Sequence, residues 1–253
     1  MTSTLHLGDC LEVMAGMEAG SVDAVVTDPP YGTGGWRRNG SGQGGNPTGS
    51  LCVEEWDTGS VRWLSLVSVL AAAGSVAVPV ITFWPAARTM QLLNAAASAG
   101  LRKHRCLYMR KLDPKPQVGG RTKWSVEPIW VLSRDGFVLM GGDDVYEAST
   151  PRMNRDADAT GHPYQKPLGV MRWLLSKIPD ARTILDPFTG SGTTGVACAK
   201  EGRDFIGIER ESEYVEIARR RIEAAARQLR RDGYDIATSS GPGGGYLPRG
   251  VRS

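Results

Sequence analysis

Apolar and polar positions alternate along this chain with two different periods. Val22–Thr27, Thr183–Asp186 and Phe205–Glu209 are short, nearly continuous apolar runs, the pattern of strands covered on both faces. Leu5–Asp9, Ser75–Thr82, Cys106–Arg110 and Pro128–Ser133 complete the predicted strands. Between them, apolar residues recur at helical spacing over Cys10–Met17, Val61–Ala73, Pro85–Ala99, Leu168–Lys177, Thr193–Lys200 and Glu213 to about Arg231. Such alternation predicts a mostly parallel sheet with helices on both faces.

Three stretches break the pattern. Gly32–Ser50 is rich in glycine and carries Trp36, Arg37 and Arg38, so it is expected to be mobile and to build no core. Asp113–Ser125 combines Pro and Gly with Arg121 and Lys123, and Gly141–Gly161 carries Arg152 and Arg155. These are expected to be loops. Residues 1–235 then form one domain, and 236–253, rich in Gly, Pro and Ser, form a disordered tail.

Composition narrows the setting. The apolar content of 41% supports a full core, and a net charge of +3 permits nucleic-acid binding without requiring it. Cys10, Cys52, Cys106 and Cys198 form no CxxC pair, and His6, His104 and His162 have no metal spacing. Neither a disulfide framework nor a metal centre is expected, and a cytoplasmic setting fits. The longest apolar stretch, roughly Leu64 to Trp84, is interrupted by Ser, Gly and Pro and reads as helix, turn and strand, not as a membrane span.

Two motifs carry the chemistry. Gly190-Ser191-Gly192-Thr193-Thr194-Gly195 lies between a predicted strand and a predicted helix, with Glu209 nineteen residues after Gly190. Glycines let a ligand approach the backbone, and Glu209 can accept hydrogen bonds from two ribose hydroxyls. The glycines alone do not separate a dinucleotide from S-adenosylmethionine (SAM). Asp186 at the mouth of the turn favours SAM, because a carboxylate repels a pyrophosphate and can pair with a methionine ammonium. On this reading, bulk at Gly192 obstructs the cofactor.

Asp28-Pro29-Pro30-Tyr31 ends the strand Val22–Thr27. An exocyclic amine on a nucleobase is a poor nucleophile because its lone pair is delocalised. The Asp28 carboxylate and the Pro29 carbonyl can accept its two N–H bonds, the prolines hold that carbonyl rigid, and Tyr31 offers a face for an extruded base. The acceptors then stabilise positive charge growing on nitrogen.

In this order the motifs resemble the beta class of SAM-dependent DNA amino-methyltransferases, in which the catalytic motif precedes the cofactor motif. Leu7-Gly8-Asp9-Cys10-Leu11 resembles the class's adenosine-contacting segment, which assigns Asp9 to the adenine of SAM. His162–Pro167, with Lys166, resembles the segment lining the methionine end of SAM. Asp186–Thr194 matches the FxGxG motif, with Phe188 over the cofactor and Gly190, Ser191, Gly192 and Thr193 around it. Phe205–Glu209 matches the ribose segment, and Tyr214 and Ala218 fit the helix after it.

The resemblance implies a seven-stranded Rossmann-like sheet, mostly parallel with one antiparallel strand, in circularly permuted motif order. It implies double-stranded DNA as substrate, adenine N6 ahead of cytosine N4 as target, a possible cognate restriction nuclease, and a monomer or homodimer. Trp36, Arg37, Arg38, Arg121, Lys123, Arg152 and Arg155 become candidate DNA contacts. Phe83 and Trp84 suit cofactor or base contact, or core packing, while Arg219–Arg221 suit a solvated helix face. An RNA or protein-glutamine methyltransferase, a dehydrogenase, and a nucleic-acid-binding module with an inactive cofactor fold remain open. Basic, tryptophan-bearing loops and the motif order favour DNA methylation.

Overall fold

The computed structural model describes residues 1–29, 61–112, 125–134, 136–148 and 165–231. Among the described residues, eight strands form one sheet: β1 (Ser3–Leu7), β2 (Ala24–Thr27), β3 (Val80–Phe83), β4 (Arg102–Lys111), β5 (Val126–Ser133), β6 (Val145–Ala148), β7 (Thr183–Asp186) and β8 (Asp204–Glu209). Their spatial order is β1-β8-β7-β2-β3-β5-β4-β6. β5 runs antiparallel to β3 and β4, and every other pairing is parallel. The sheet is thus mostly parallel with one antiparallel strand, and it has one strand more than the resemblance implies. The eighth, β6, comes from the polar stretch Gly141–Gly161. It extends the sheet by pairing with the last four residues of β4, with Val145 and Glu147 exposed, Tyr146 half-buried and only Ala148 buried, so its sequence has no apolar run.

Among the described residues six α-helices cover the sheet: α1 (Cys10–Ala15), α2 (Val61–Val76), α3 (Thr89–Ser98), α4 (Leu168–Ser176), α5 (Thr193–Lys200) and α6 (Ser212–Arg231). The alternation of strand side chains divides two cores. Ala24, Val26, Ile81, Ile129, Val131 and Ile184 face the layer that includes Val170, Leu174, Val196 and Ile222. Val25, Val80, Trp130, Leu132 and Leu185 face Met14, Leu70, Ala73 and Leu92. Helices α4, α5 and α6 therefore lie on one face and α1, α2 and α3 on the other, the arrangement that a period of two along a doubly covered strand requires.

Strands β4 and β5 start before the expected Cys106 and Pro128, β1 spans Ser3–Leu7 in place of Leu5–Asp9, α1 stops at Ala15, and two further boundaries have a local cause. Helix α2 continues to Val76, and Pro79 separates it from a strand that starts only at Val80. The predicted helix Pro85–Ala99 opens as a 3-10 turn over Ala86–Arg88 before α3 begins. Among the described residues, no helix is long and apolar enough to cross a membrane, and no cluster of His, Cys, Asp and Glu is arranged to hold a metal.

Chain connections diverge at the centre of the sheet. From β2 the chain passes through α2 to β3 on one side, and from β7 it passes through α5 to β8 on the other. The crevice between β2 and β7, outside their carboxyl ends, is the switch point at which open α/β sheets bind ligands.

Candidate active site

Adjacent parallel strands end in acids along that rim. Asp9 follows β1, Glu209 ends β8, Asp186 ends β7 and Asp28 follows β2, in the order in which the strands lie in the sheet. The antiparallel β5 brings Glu127, near its beginning, to the same rim, and β4 delivers Lys111 from its end.

At the switch point, Asp186 is 3% exposed. Its Oδ1 accepts from Thr27 Oγ1 at 2.7 Å and from the Phe188 amide at 3.1 Å, and its Oδ2 accepts from Thr194 Oγ1 at 2.7 Å. Asp186 therefore ties β2 to β7 and shapes the turn into α5, a role that the sequence expectation of an open acceptor for an ammonium did not include. Burial, reinforced by the nearby charge of Asp28, pushes its carboxyl up from 3.8 to about 6, against the three hydrogen bonds.

A pH effect follows. Between about pH 4 and 6 the folded ligand-free protein holds a proton on Asp186 that the unfolded chain has released. Stability therefore falls as pH rises through this window, by roughly 3 kcal/mol at most. Asp186→Asn should remove this component. The melting temperature of the variant relative to wild type is expected to rise steadily from pH 4 to 6.5 in thermal scans; a constant difference would exclude it.

The glycine turn is held from two sides. The Gly190 amide donates to Glu209 Oε2 at 2.8 Å, so the acid and the turn are already in contact. Glu209 Oε1 accepts from the amides of Arg210 and Glu211 at 2.8 and 3.0 Å, which fixes the carboxylate at the rim. From the other side, Arg221 Nη1 donates to the Ser191 carbonyl and lies 3.2 Å from Ser191 Oγ. Arg221 thus departs from the solvated face expected for Arg219–Arg221, whereas Arg219 and Arg220 keep to it. On that face Arg219 pairs with Glu216 at 3.7 Å and Arg227 with Glu223 at 3.4 Å.

Gly190 and Gly192 have positive φ of 52° and 83°. A Cβ on Gly192 would meet Ala218 Cβ at 2.8 Å, and one on Gly195 would meet Ile222 Cδ1 at 2.4 Å. These two glycines let α5 approach α6, a packing reason that stands beside the expected ligand clearance at Gly192. Ser191 and Thr193 are buried in the same turn, and Phe188 is half-buried beside it. Asp9 caps α1, accepting from the amides of Leu11 at 2.8 Å and Glu12 at 3.4 Å.

Lys166 Nζ lies 2.7 Å from Asp28 Oδ2 and 3.4 Å from Glu127 Oε2, with its charge 4.7 Å from the centre of the Phe83 ring. Lys111 pairs with Glu127 Oε1. Phe83 and Trp84 are buried in the core, the Trp84 indole donating to the Arg88 carbonyl at 2.9 Å and the Phe83 ring also lying under the Lys166 ammonium.

Thr27, Glu127, Lys111 and Arg221 escaped the motif reading. The available signals were an acid directly before the apolar run of β5 and a polar residue closing the apolar run of β2. Pro29 follows Asp28 at the rim. Pro30, Tyr31, Trp36, Arg37, Arg38, Arg121, Lys123, Arg152 and Arg155 lie outside the described residues, as do the tail 236–253 and nearly all of the loops 32–50, 113–125 and 149–161.

Comparison with known proteins agrees with this geometry. Residues 102–220 match a family model described as DNA methylase. The Type II methyltransferase M2.DpnII of Streptococcus pneumoniae is 29% identical over 246 residues, which span 85% of this chain and 88% of the relative. M2.LlaDCHI of Lactococcus lactis subsp. cremoris is 27% identical over 86% of this chain and 88% of its own. Among solved structures, the M1.HpyAVI–SAM complex superposes with a TM-score of 0.63 at 21% identity, over 87% of this chain and 99% of that one. The cytosine-N4-specific PvuII DNA methyltransferase superposes with a TM-score of 0.67 at 17% identity, over 91% and 92%. At these identities the two structures establish the fold.

Proposed function

We propose that this chain is a SAM-dependent amino-methyltransferase acting on DNA, and that its target is the N6 amine of an adenine turned out of duplex DNA. One observation carries the reading: four acids stand in strand order along one rim, around a glycine turn already hydrogen-bonded to Glu209. Such a rim suits a nucleoside bearing positive charge and disfavours a pyrophosphate. This sets SAM apart from a dinucleotide on the residues themselves.

When bound, SAM supplies a methyl group on a sulfonium, with a neutral thioether as leaving group. Glu209 would accept hydrogen bonds from the ribose hydroxyls, Asp9 would stand toward the adenine, and Phe188 would cover it. Gly190, Ser191, Gly192 and Thr193 form the backbone cradle at the start of α5, where N–H groups lack partners within the helix. Asp186 holds that cradle to the catalytic strand through Thr27. Asp28 and the Pro29 carbonyl accept the amine's two N–H bonds and so leave its lone pair to attack, with Pro30 and Tyr31 completing the motif.

Asp rather than Ser at the first motif position supports adenine. Trp36, Arg37, Arg38, Arg121, Lys123, Arg152 and Arg155 are assigned to the DNA, mainly to its phosphates. The designation of the relatives as Type II methyltransferases supports a restriction-modification setting.

Base-resolved modification mapping of DNA from cells expressing this chain tests the reading. N6-methyladenine in one sequence context is expected. N4-methylcytosine instead would move the target, and unmodified DNA from a protein that binds SAM would overturn the DNA reading.

A further inference from the structure

Lys166 is assigned by sequence resemblance to the methionine end of the cofactor, yet its ammonium lies on the catalytic acid. We propose that Lys166 is a positioning residue for Asp28, held between Asp28 and Glu127 in a chain of alternating charge that runs Asp28–Lys166–Glu127–Lys111. This rests on the amino-methyl transfer reading above.

Four separate parts of the fold converge to make this chain: the end of β2, the residues before α4, the beginning of β5 and the end of β4. The Lys166 side chain is only 12% exposed, and the side chains of Asp28 and Glu127 are about a quarter exposed, at 23% and 27%. A half-buried network of this kind adds little to stability compared with an apolar packing. A rim that invests four ionised groups in it is better explained by what the network does to the acid at its end.

An Asp carboxylate has a broad terminal torsion and turns easily. With Oδ2 tied to Lys166 at 2.7 Å, the plane of the Asp28 carboxylate is set, and with it the direction in which the group meets the target amine. An ionised carboxylate accepts hydrogen bonds only, as the amine requires.

Glu127 gives the arrangement its balance. An ammonium devoted to Asp28 alone would offset most of that carboxylate's charge and weaken it as an acceptor. Glu127 shares the ammonium at 3.4 Å, an ion pair with its buried Oε2, and Lys111 in turn pairs with Oε1. The Phe83 ring beneath Nζ adds a cation–π contact at 4.7 Å and closes off water from one side. Burial disfavours the charge on Lys166, but Asp28 and Glu127 outweigh it and hold the ammonium above the usual lysine range. Burial likewise opposes the charge on Glu127, and Lys166 and Lys111 together hold its carboxyl below the ordinary value.

The test uses Lys166→Arg, Lys166→Gln and Lys166→Met, each checked for an unchanged melting temperature. SAM affinity is measured by calorimetry, and the single-turnover rate on DNA at saturating SAM. A positioning role predicts SAM affinity within about threefold of wild type and a graded loss of rate. Met should lose the most, about 30-fold or more, Gln less, and Arg the least because it keeps both charge and donor. Weakening of SAM binding by about tenfold or more with an unchanged saturated rate would make Lys166 a cofactor ligand and overturn the proposal.

A second measurement needs no turnover. Nitrogen NMR of the lysine side chains should show Lys166 titrating above ordinary lysines, and both Asp28→Asn and Glu127→Gln should lower it, since burial then prevails. A Lys166 titration that neither variant moves would overturn the proposal. Wild-type protein that binds SAM and leaves DNA unmodified would instead defeat the DNA reading alone, and the titration would still decide the pairing.

Discussion

Asp28→Ala is expected to reduce methyl transfer by about 100-fold or more while SAM affinity stays close to wild type. The two effects separate because Asp28 stands at the end of β2, beyond Thr27, whereas the glycine turn and Glu209 belong to β7, α5 and β8. Removing the carboxylate takes away the charged acceptor that aims the amine and stabilises positive charge forming on it. The Lys166 ammonium then keeps its ion pair with Glu127 and loses the closer one with Asp28. Single-turnover rates at saturating SAM, set beside calorimetric SAM binding, check this. A rate within about threefold of wild type would remove Asp28 from the mechanism.

Gly192→Val should act on the fold before it acts on the cofactor. The new Cβ would lie 2.8 Å from Ala218 Cβ and 2.9 Å from Ala218 Cα, where the α6 backbone cannot yield, and φ at this position is 83°. Left-handed backbone costs a residue with a side chain roughly 1–2 kcal/mol, and overpacking typically a further 1–3 kcal/mol. Together they lower the melting temperature by on the order of 10 °C for a domain of this size. Ala218→Gly in the same chain should return part of the loss, since the side-chain clash goes while the φ strain stays. Thermal scans without SAM decide the matter. A Gly192→Val protein as heat-stable as wild type but weak in SAM binding would assign the glycine to the ligand after all.

The contrast at Gly192 shows how sequence and structure divide the information. GxGxxG between a strand and a helix marks a place where the backbone must come close to something, and from the sequence the partner is taken to be a cofactor. For Gly192 and Gly195 the structure adds a partner in α6, through Ala218 and Ile222, which lie well beyond the turn along the chain. Local spacing carries the need for a glycine, but not the identity of the neighbour that imposes it.

Lys166 makes the same point with charge. The sequence places it in a segment that resembles a cofactor wall. Its partners Asp28, Glu127 and Lys111 come from distant stretches of the chain, and no local pattern connects them.

Much was determined by the sequence alone. The buried strands β2, β7 and β8 are written as continuous apolar runs because they are covered on both faces. The helices are written by their apolar stripes, as in α6 with Val215, Ala218, Ile222, Ala225, Ala226 and Leu229. The positions of Asp28, Asp186 and Glu209 at strand ends follow from where those runs stop. Only the tertiary structure decided the sheet order, the eighth strand, and which charges meet. Strand β6 has no apolar run because it lies at the sheet edge, where only Ala148 is buried and Tyr146 half-buried, while Val145 and Glu147 face solvent. Asp186 reads as an open acid because its burial depends on Thr27, which reaches it only when β2 and β7, 159 residues apart at this contact, lie side by side. Periodicity records how each segment meets the core, and chemistry at the rim depends on which segments meet one another.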